Sequence, residues 1–139
     1  MNLNSLPRLL GTRLVLLISG LVAVAIATSI LFAPGAFYAG YGIEITGNAT
    51  LANELKAPMG VLLIAGLVML AAVIRRDLAP TALTVATVIY LSYGLSRLSS
   101  MAIDGAPHSG MVSAAGVEIL IGAVCLLTLF RVRRLDARA

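Results

Sequence analysis

Residues Leu14–Phe32, "LVLLISGLVAVAIATSILF", decide the fold. These nineteen residues carry no charge. As an α-helix rising about 1.5 Å per residue, they cover about 28 Å, close to the thickness of a bilayer's hydrocarbon core. Three further runs match it: Ala57–Ile74, Thr81–Ser100 and Met111–Phe130. Backbone polar groups in lipid need partners inside their own segment, so each run is predicted to be a helix. Pro58 and Pro80 sit near the starts of the second and third, where a missing N–H is tolerated. The expected fold class is all-α: an integral membrane four-helix bundle, forming a single domain over 1–139.

Composition agrees. Of 139 residues, 60% are hydrophobic and 12% charged, against about 25% charged in soluble domains. So apolar and short a chain cannot bury its hydrophobic residues in one water-soluble core. Cys125 is the only cysteine. It lies inside the fourth run and is expected to pack as a small apolar residue. A secretory signal is the alternative for the first run, with Arg8 and Arg13 as its basic region. Signal cores are usually about 7–15 residues, and this run is longer, so it reads as a retained helix.

The net charge of +4 does not point to nucleic acid, because the basic residues form no contiguous patch. They sit at the ends of the apolar runs. Arg8, Arg13, Arg75, Arg76, Arg131, Arg133, Arg134 and Arg138 are eight of the ten basic residues, and four crossings place all eight on one side. The positive-inside rule then makes that side, and both termini, cytoplasmic. Lys56 and Arg97 fall to the outer half. The segments 33–56 and 101–110 face outward, and the first is a long connection. Pro34 and Gly35 end the first helix there. Asn48 or Thr50 is placed to cap a short helix through Glu54. Phe37, Tyr38 and Tyr41 suit the membrane interface. "NAT" at Asn48 matches a glycosylation acceptor, relevant only in a eukaryotic secretory route.

Arg97 is charged before its run has ended. It lies about 5 Å inside the estimated boundary, and Glu118, in the fourth run, about 10 Å. Glu54 stands just before the second run. Glu54, Arg97 and Glu118 therefore form the candidate polar cluster, with Asn53, Lys56, Tyr90, Tyr93 and Asp104 in support. At about 100° per residue, Tyr90, Tyr93, Gly94 and Ser100 share the face of Arg97. Ala114, Ala115, Gly122 and Cys125 share that of Glu118, and such small residues admit a neighbouring helix. A charge in the bilayer is costly unless paired or hydrated. One reading is a structural ion pair or a snorkelling arginine. The other is a site for a head group, a quinone or a proton. Asp104, Gly105, Pro107 and His108 make an ordinary turn. With one histidine and no Cys–His spacing, no metal site is expected. No phosphate loop, nucleophile elbow or other catalytic motif occurs.

Three stretches, "NELKAPMGVLLIAGLVML" (Asn53–Leu70), "YGLSRLSSMAIDGAP" (Tyr93–Pro107) and "GVEIL" (Gly116–Leu120), occur in that order. Together they resemble the bacterial domain-of-unknown-function family four-three-four-five, small four-span membrane proteins that are loosely DoxX-like. The resemblance covers Ala33–Phe130. Its pattern falls on Asn53, Glu54, Ala57, Gly94, Arg97, Asp104, Gly105, Pro107 and Glu118. Lys56 stands where that pattern has arginine, keeping the charge but losing the bidentate fork. The resemblance implies fold and membrane location but no activity. The DoxX-like comparison hints at a quinone-linked or redox accessory role.

The leading expectation is a multi-pass protein of the bacterial inner membrane. It would act as an accessory or interaction subunit of a larger complex, not as an enzyme. Its partners would be the lipid bilayer and other membrane proteins or further copies of itself, with no nucleic acid. No cofactor is required. The alternative is a redox-linked protein that holds a quinone or lipid head group with Glu54, Arg97 and Glu118. A proton-coupled exporter is a third reading. The first run, however, lacks the carboxylate that small four-helix exporters resemble one another in carrying.

Overall fold

The computed structural model describes residues 6–136, with side chains from Leu10 to Arg134. Five α-helices follow in order: α1 (Leu6–Phe32), α2 (Pro34–Ala39), α3 (Ala49–Ile74), α4 (Ala79–Asp104) and α5 (Ser109–Asp136). Among the described residues, four helices are long and apolar enough to cross a membrane. The protein is all-α, a multi-pass membrane helix bundle. Arg8 has no described side chain and Arg138 lies outside the described residues. The other six arginines of the basic set stand at one end of the bundle, termed the arginine end.

The helices overrun the apolar runs. The second span was expected from Ala57 but begins at Ala49. Asn48, one of the two expected caps, accepts a 3.0 Å hydrogen bond from the Leu51 amide. The helix then runs unbroken through Pro58, which lies inside it. A proline has no N–H, so the Glu54 carbonyl has no i+4 amide to accept from. Residues 33–56 are therefore not one long connection. Pro34 starts α2 in its first turn, and only Ala33 and 40–48 are non-helical. There Gly42 and Gly47 adopt φ of 73° and 79°, the left-handed region that suits glycine. The fourth span continues past Phe130 to Asp136, because arginine and leucine propagate a helix well beyond lipid.

α1 packs along α3, and α4 along α5; contacts between these two pairs are sparser. Glycines permit the close approach within each pair. A Cβ built on Gly66 would lie 2.8 Å from Val24 Cγ2, and one on Gly94 2.6 Å from Ile119 Cγ1. Leu14, Leu21, Val61, Ile64, Leu67 and Leu127 face outward, an apolar exterior suited to lipid. The largest fully buried side chains, Leu16, Ser19, Met69, Leu83 and Cys125, lie in the half of the bundle nearer the arginine end. Cys125 is buried as its apolar run predicts. Two hydrogen bonds join the pairs at this level. The Tyr90 hydroxyl donates to the Ser19 carbonyl at 2.6 Å, and Ser19 Oγ lies 3.4 Å from Cys125 Sγ.

Candidate functional site

Arg97 is seven residues from the end of α4, and Glu118 is nine residues into α5. Both helices run past the expected boundaries. The pair therefore lies about 10–13 Å from the helix ends, further in than expected for Arg97. Arg97 Nε donates to both carboxylate oxygens of Glu118, at 2.9 and 3.2 Å. The side chains are 34% and 12% exposed. The arginine thus turns inward to a carboxylate on its partner helix. Its terminal NH2 groups make no hydrogen bond among the described residues and remain donors.

Beside this pair opens a cavity of about 530 Å³, lined by all four spans and by α2. Its depth is apolar: Val22, Ala23 and Ile26 from α1, Met59 and Leu62 from α3, Ile89 from α4, Val117 from α5. Its polar groups are Glu54, Arg97, Glu118, Ser113 and the tyrosines. Glu54 lines the cavity from α3 but makes no ion pair among the described residues. The expected trio thus resolves into a bonded pair on one wall and a lone carboxylate on the opposite helix pair. Glu54 and Pro58 line the cavity together, so the carbonyl released by the proline belongs to the same wall.

Of the supporting residues, Tyr90 and Tyr93 line the cavity, but Asn53, Lys56 and Asp104 do not. Asp104 is exposed and accepts a 2.9 Å hydrogen bond from Ser100, on the helical face they share with Arg97. Lys56 forms no ion pair among the described residues; the carboxylate contact comes from Arg97, whose single Nε–H is shared between the two oxygens of Glu118. On the Glu118 side, Ala114 lines the cavity. A Cβ on Gly122 would lie 2.7 Å from Leu91 side-chain atoms. The small residues thus bring α4 close.

The sequence reading placed Phe37, Tyr38 and Tyr41 at the membrane interface. In the structure they wall the cavity mouth. Phe37 packs on Tyr38 and Tyr41 with ring centroids 5.2 and 5.6 Å apart, and Tyr41 meets His108 edge-on at 5.9 Å. The signal was available: Pro34 as a helix start, and aromatics four residues apart on the turn that follows. Burial raises the Tyr38 phenol above its ordinary value, opposed by the Arg97 guanidinium. It stays a hydroxyl donor at neutral pH. All four tyrosines of the chain, Tyr38, Tyr41, Tyr90 and Tyr93, line this cavity, and there is no tryptophan.

Among the described residues no group of three or more His, Cys, Asp or Glu side chains is placed to hold a metal. A family model described as a domain of unknown function (DUF4345) matches residues 11–129. The chain belongs to this family. The DUF4345 match reaches back over the first span, beyond the residues that carry the resemblance read from the sequence. It also takes in every wall of the cavity. No curated protein and no solved structure matches the chain.

Proposed function

We propose that this DUF4345 protein binds a membrane-dissolved amphiphile with an uncharged, oxygen-bearing head, of which quinones are the fitting class. The observation that carries this is the cavity's polarity: apolar walls from all four spans, with charged groups from facing walls gathered toward one end. Ligand pockets of about 300–1,000 Å³, apolar with a few placed polar groups, are the ordinary form of a small-molecule site. Here the free NH2 donors of Arg97 and the Tyr38 hydroxyl meet a head-group carbonyl, while Glu54 accepts from a hydroxyl. Two carboxylates and one guanidinium give the polar end a formal charge of −1, which disfavours an anionic head. The apolar body lies along Val22, Ile26, Leu62 and Ile89.

The arginine asymmetry supports a bacterial inner-membrane location with both termini cytoplasmic, and hence a cavity open toward the outer leaflet. The accessory-subunit reading rests on size and resemblance, and the cavity adds nothing to it. The two readings are compatible where the bound amphiphile serves a larger complex.

Tyrosine emission tests the proposal, because every tyrosine lines the cavity. A short-chain benzoquinone titrated into the detergent-purified protein should quench that emission saturably. Ala114→Leu, which fills the cavity from α5, should abolish saturation. Linear quenching, equal in wild type and variant, would refute the proposal. Stabilisation by phosphatidylethanolamine without any quinone saturation would reassign the site to a lipid.

A further inference from the structure

At the arginine end a second cavity, about 340 Å³, lies among the start of α1, the end of α3, the start of α4 and the end of α5. It shares no lining residue with the first. Leu16 and Val132 contribute apolar wall, and Arg13, Arg76 and Asp77 line it with charge. Asp77 is already matched, because Arg75 Nη2 lies 2.9 Å from its Oδ2. Arg13 and Arg76 form no ion pair among the described residues. The Nε of Arg13 is buried and has no hydrogen-bond partner, and an unsatisfied buried donor is costly.

Two guanidiniums with no ion pair among the described residues, one of them with an orphaned donor, stand beside apolar wall at the membrane boundary. That combination describes the surroundings of a phosphate joined to a hydrocarbon. We infer that this cavity binds the phosphate of an anionic phospholipid head group, held between Arg13 and Arg76, with the glycerol backbone against Leu16 and Val132. Guanidinium forks match phosphate oxygens in geometry and charge. Basic pockets between spans on the cytoplasmic side suit such head groups. Free phosphate offers the same oxygens but has nothing to place against the apolar wall, which favours the lipid. In the proposed orientation the cavity faces the leaflet opposite the amphiphile cavity. The two sites are thus separate in chemistry as well as in position.

The experiment uses the full chain in a non-ionic detergent. Native mass spectrometry and thermal unfolding follow dioctanoyl phosphatidylglycerol, dioctanoyl phosphatidylcholine and inorganic phosphate in parallel. Phosphatidylglycerol should bind about tenfold tighter than phosphatidylcholine, whose phosphate carries a choline cation that the two guanidiniums repel. Arg76→Gln and Arg13→Gln should each erase that preference, whereas Arg131→Gln, outside the cavity, should keep it. If Arg13→Gln fails to fold, Arg13→Lys serves in its place. It retains charge without the fork and should lower the preference without abolishing it. Equal affinity for the two lipids would overturn the inference, as would a preference untouched by Arg76→Gln. Inorganic phosphate binding as tightly as phosphatidylglycerol would overturn the lipid assignment in favour of free phosphate.

Discussion

Replacing Arg97 and Glu118 separately and together tests whether their contact stabilises the fold. Glu118 is 12% exposed and Arg97 34%, so the two losses are unequal. Arg97→Met strands a nearly buried carboxylate. Breaking a buried pair costs about 3–5 kcal/mol, and the low end, about 3 kcal/mol, applies to a pair at the edge of a cavity. Glu118→Met strands a guanidinium that water still reaches, at about 1–2 kcal/mol. The double Met variant removes both charges while filling similar volume, and should return to within about 1 kcal/mol of the parent. The coupling, the sum of the two single losses less that of the double, is then about 3–5 kcal/mol. Equilibrium unfolding by dodecyl sulfate titration, followed by circular dichroism, measures all four proteins. Coupling below about 0.5 kcal/mol would refute the reasoning and leave Arg97 as an anchor at the membrane surface. The quinone titration on the double variant separates the remaining roles. Stability regained with saturable quenching lost would assign the pair to the site as well as to the fold.

Three further outcomes are expected. Gly66→Ala places a Cβ 2.8 Å from Val24 Cγ2 and 3.0 Å from Ala23 Cβ and should cost about 1–2 kcal/mol in the same titration; Gly60→Ala meets nothing within 4 Å and should gain about 0.5–1 kcal/mol. Reporter fusions after Asp77 and at the C-terminus should report cytoplasm, and fusions at Gly47 and Gly105 the outside; a C-terminus on the outer side would sink the proposed orientation. Cys125, fully buried against Ser19, should resist both impermeant and permeant maleimides until the protein is unfolded. Rapid labelling of the native protein would mean that the buried core opens.

The spans were legible because an uncharged run of bilayer length has few other uses in a protein this apolar. Their ends were not. Residues 49–56 and 131–136 are polar and helical, lying beyond the apolar signal from which the boundaries were drawn. The Arg97–Glu118 contact was legible for an energetic reason: a charge placed among apolar residues must find a partner. Helical phase put Tyr90 and Tyr93 with Arg97, and all three line the cavity. Tyr38 and Tyr41 were placed at an interface because that is the default for aromatics near a span's end. Their role as cavity wall depends on the short helix α2, which Pro34 signals but hydropathy does not.

The way the helices pair explains why the cavity lies where it does. Glycine contacts draw α1 onto α3 and α4 onto α5, so each pair is closely packed within itself. The space between the pairs is filled less completely. Two hydrogen bonds cross it, where Tyr90 reaches Ser19 and Ser19 reaches Cys125. Toward either end the pairs stand apart, and a cavity opens at each. The Arg97–Glu118 ion pair lies wholly within one pair of helices, so it does not staple the cleft shut. Glu54 faces it from the other pair without an ion-pair partner. A small change in the angle between the pairs therefore alters the gap between Glu54 and Arg97 without breaking the ion pair. A ligand that bridges that gap draws its binding energy from contacts the empty protein does not make.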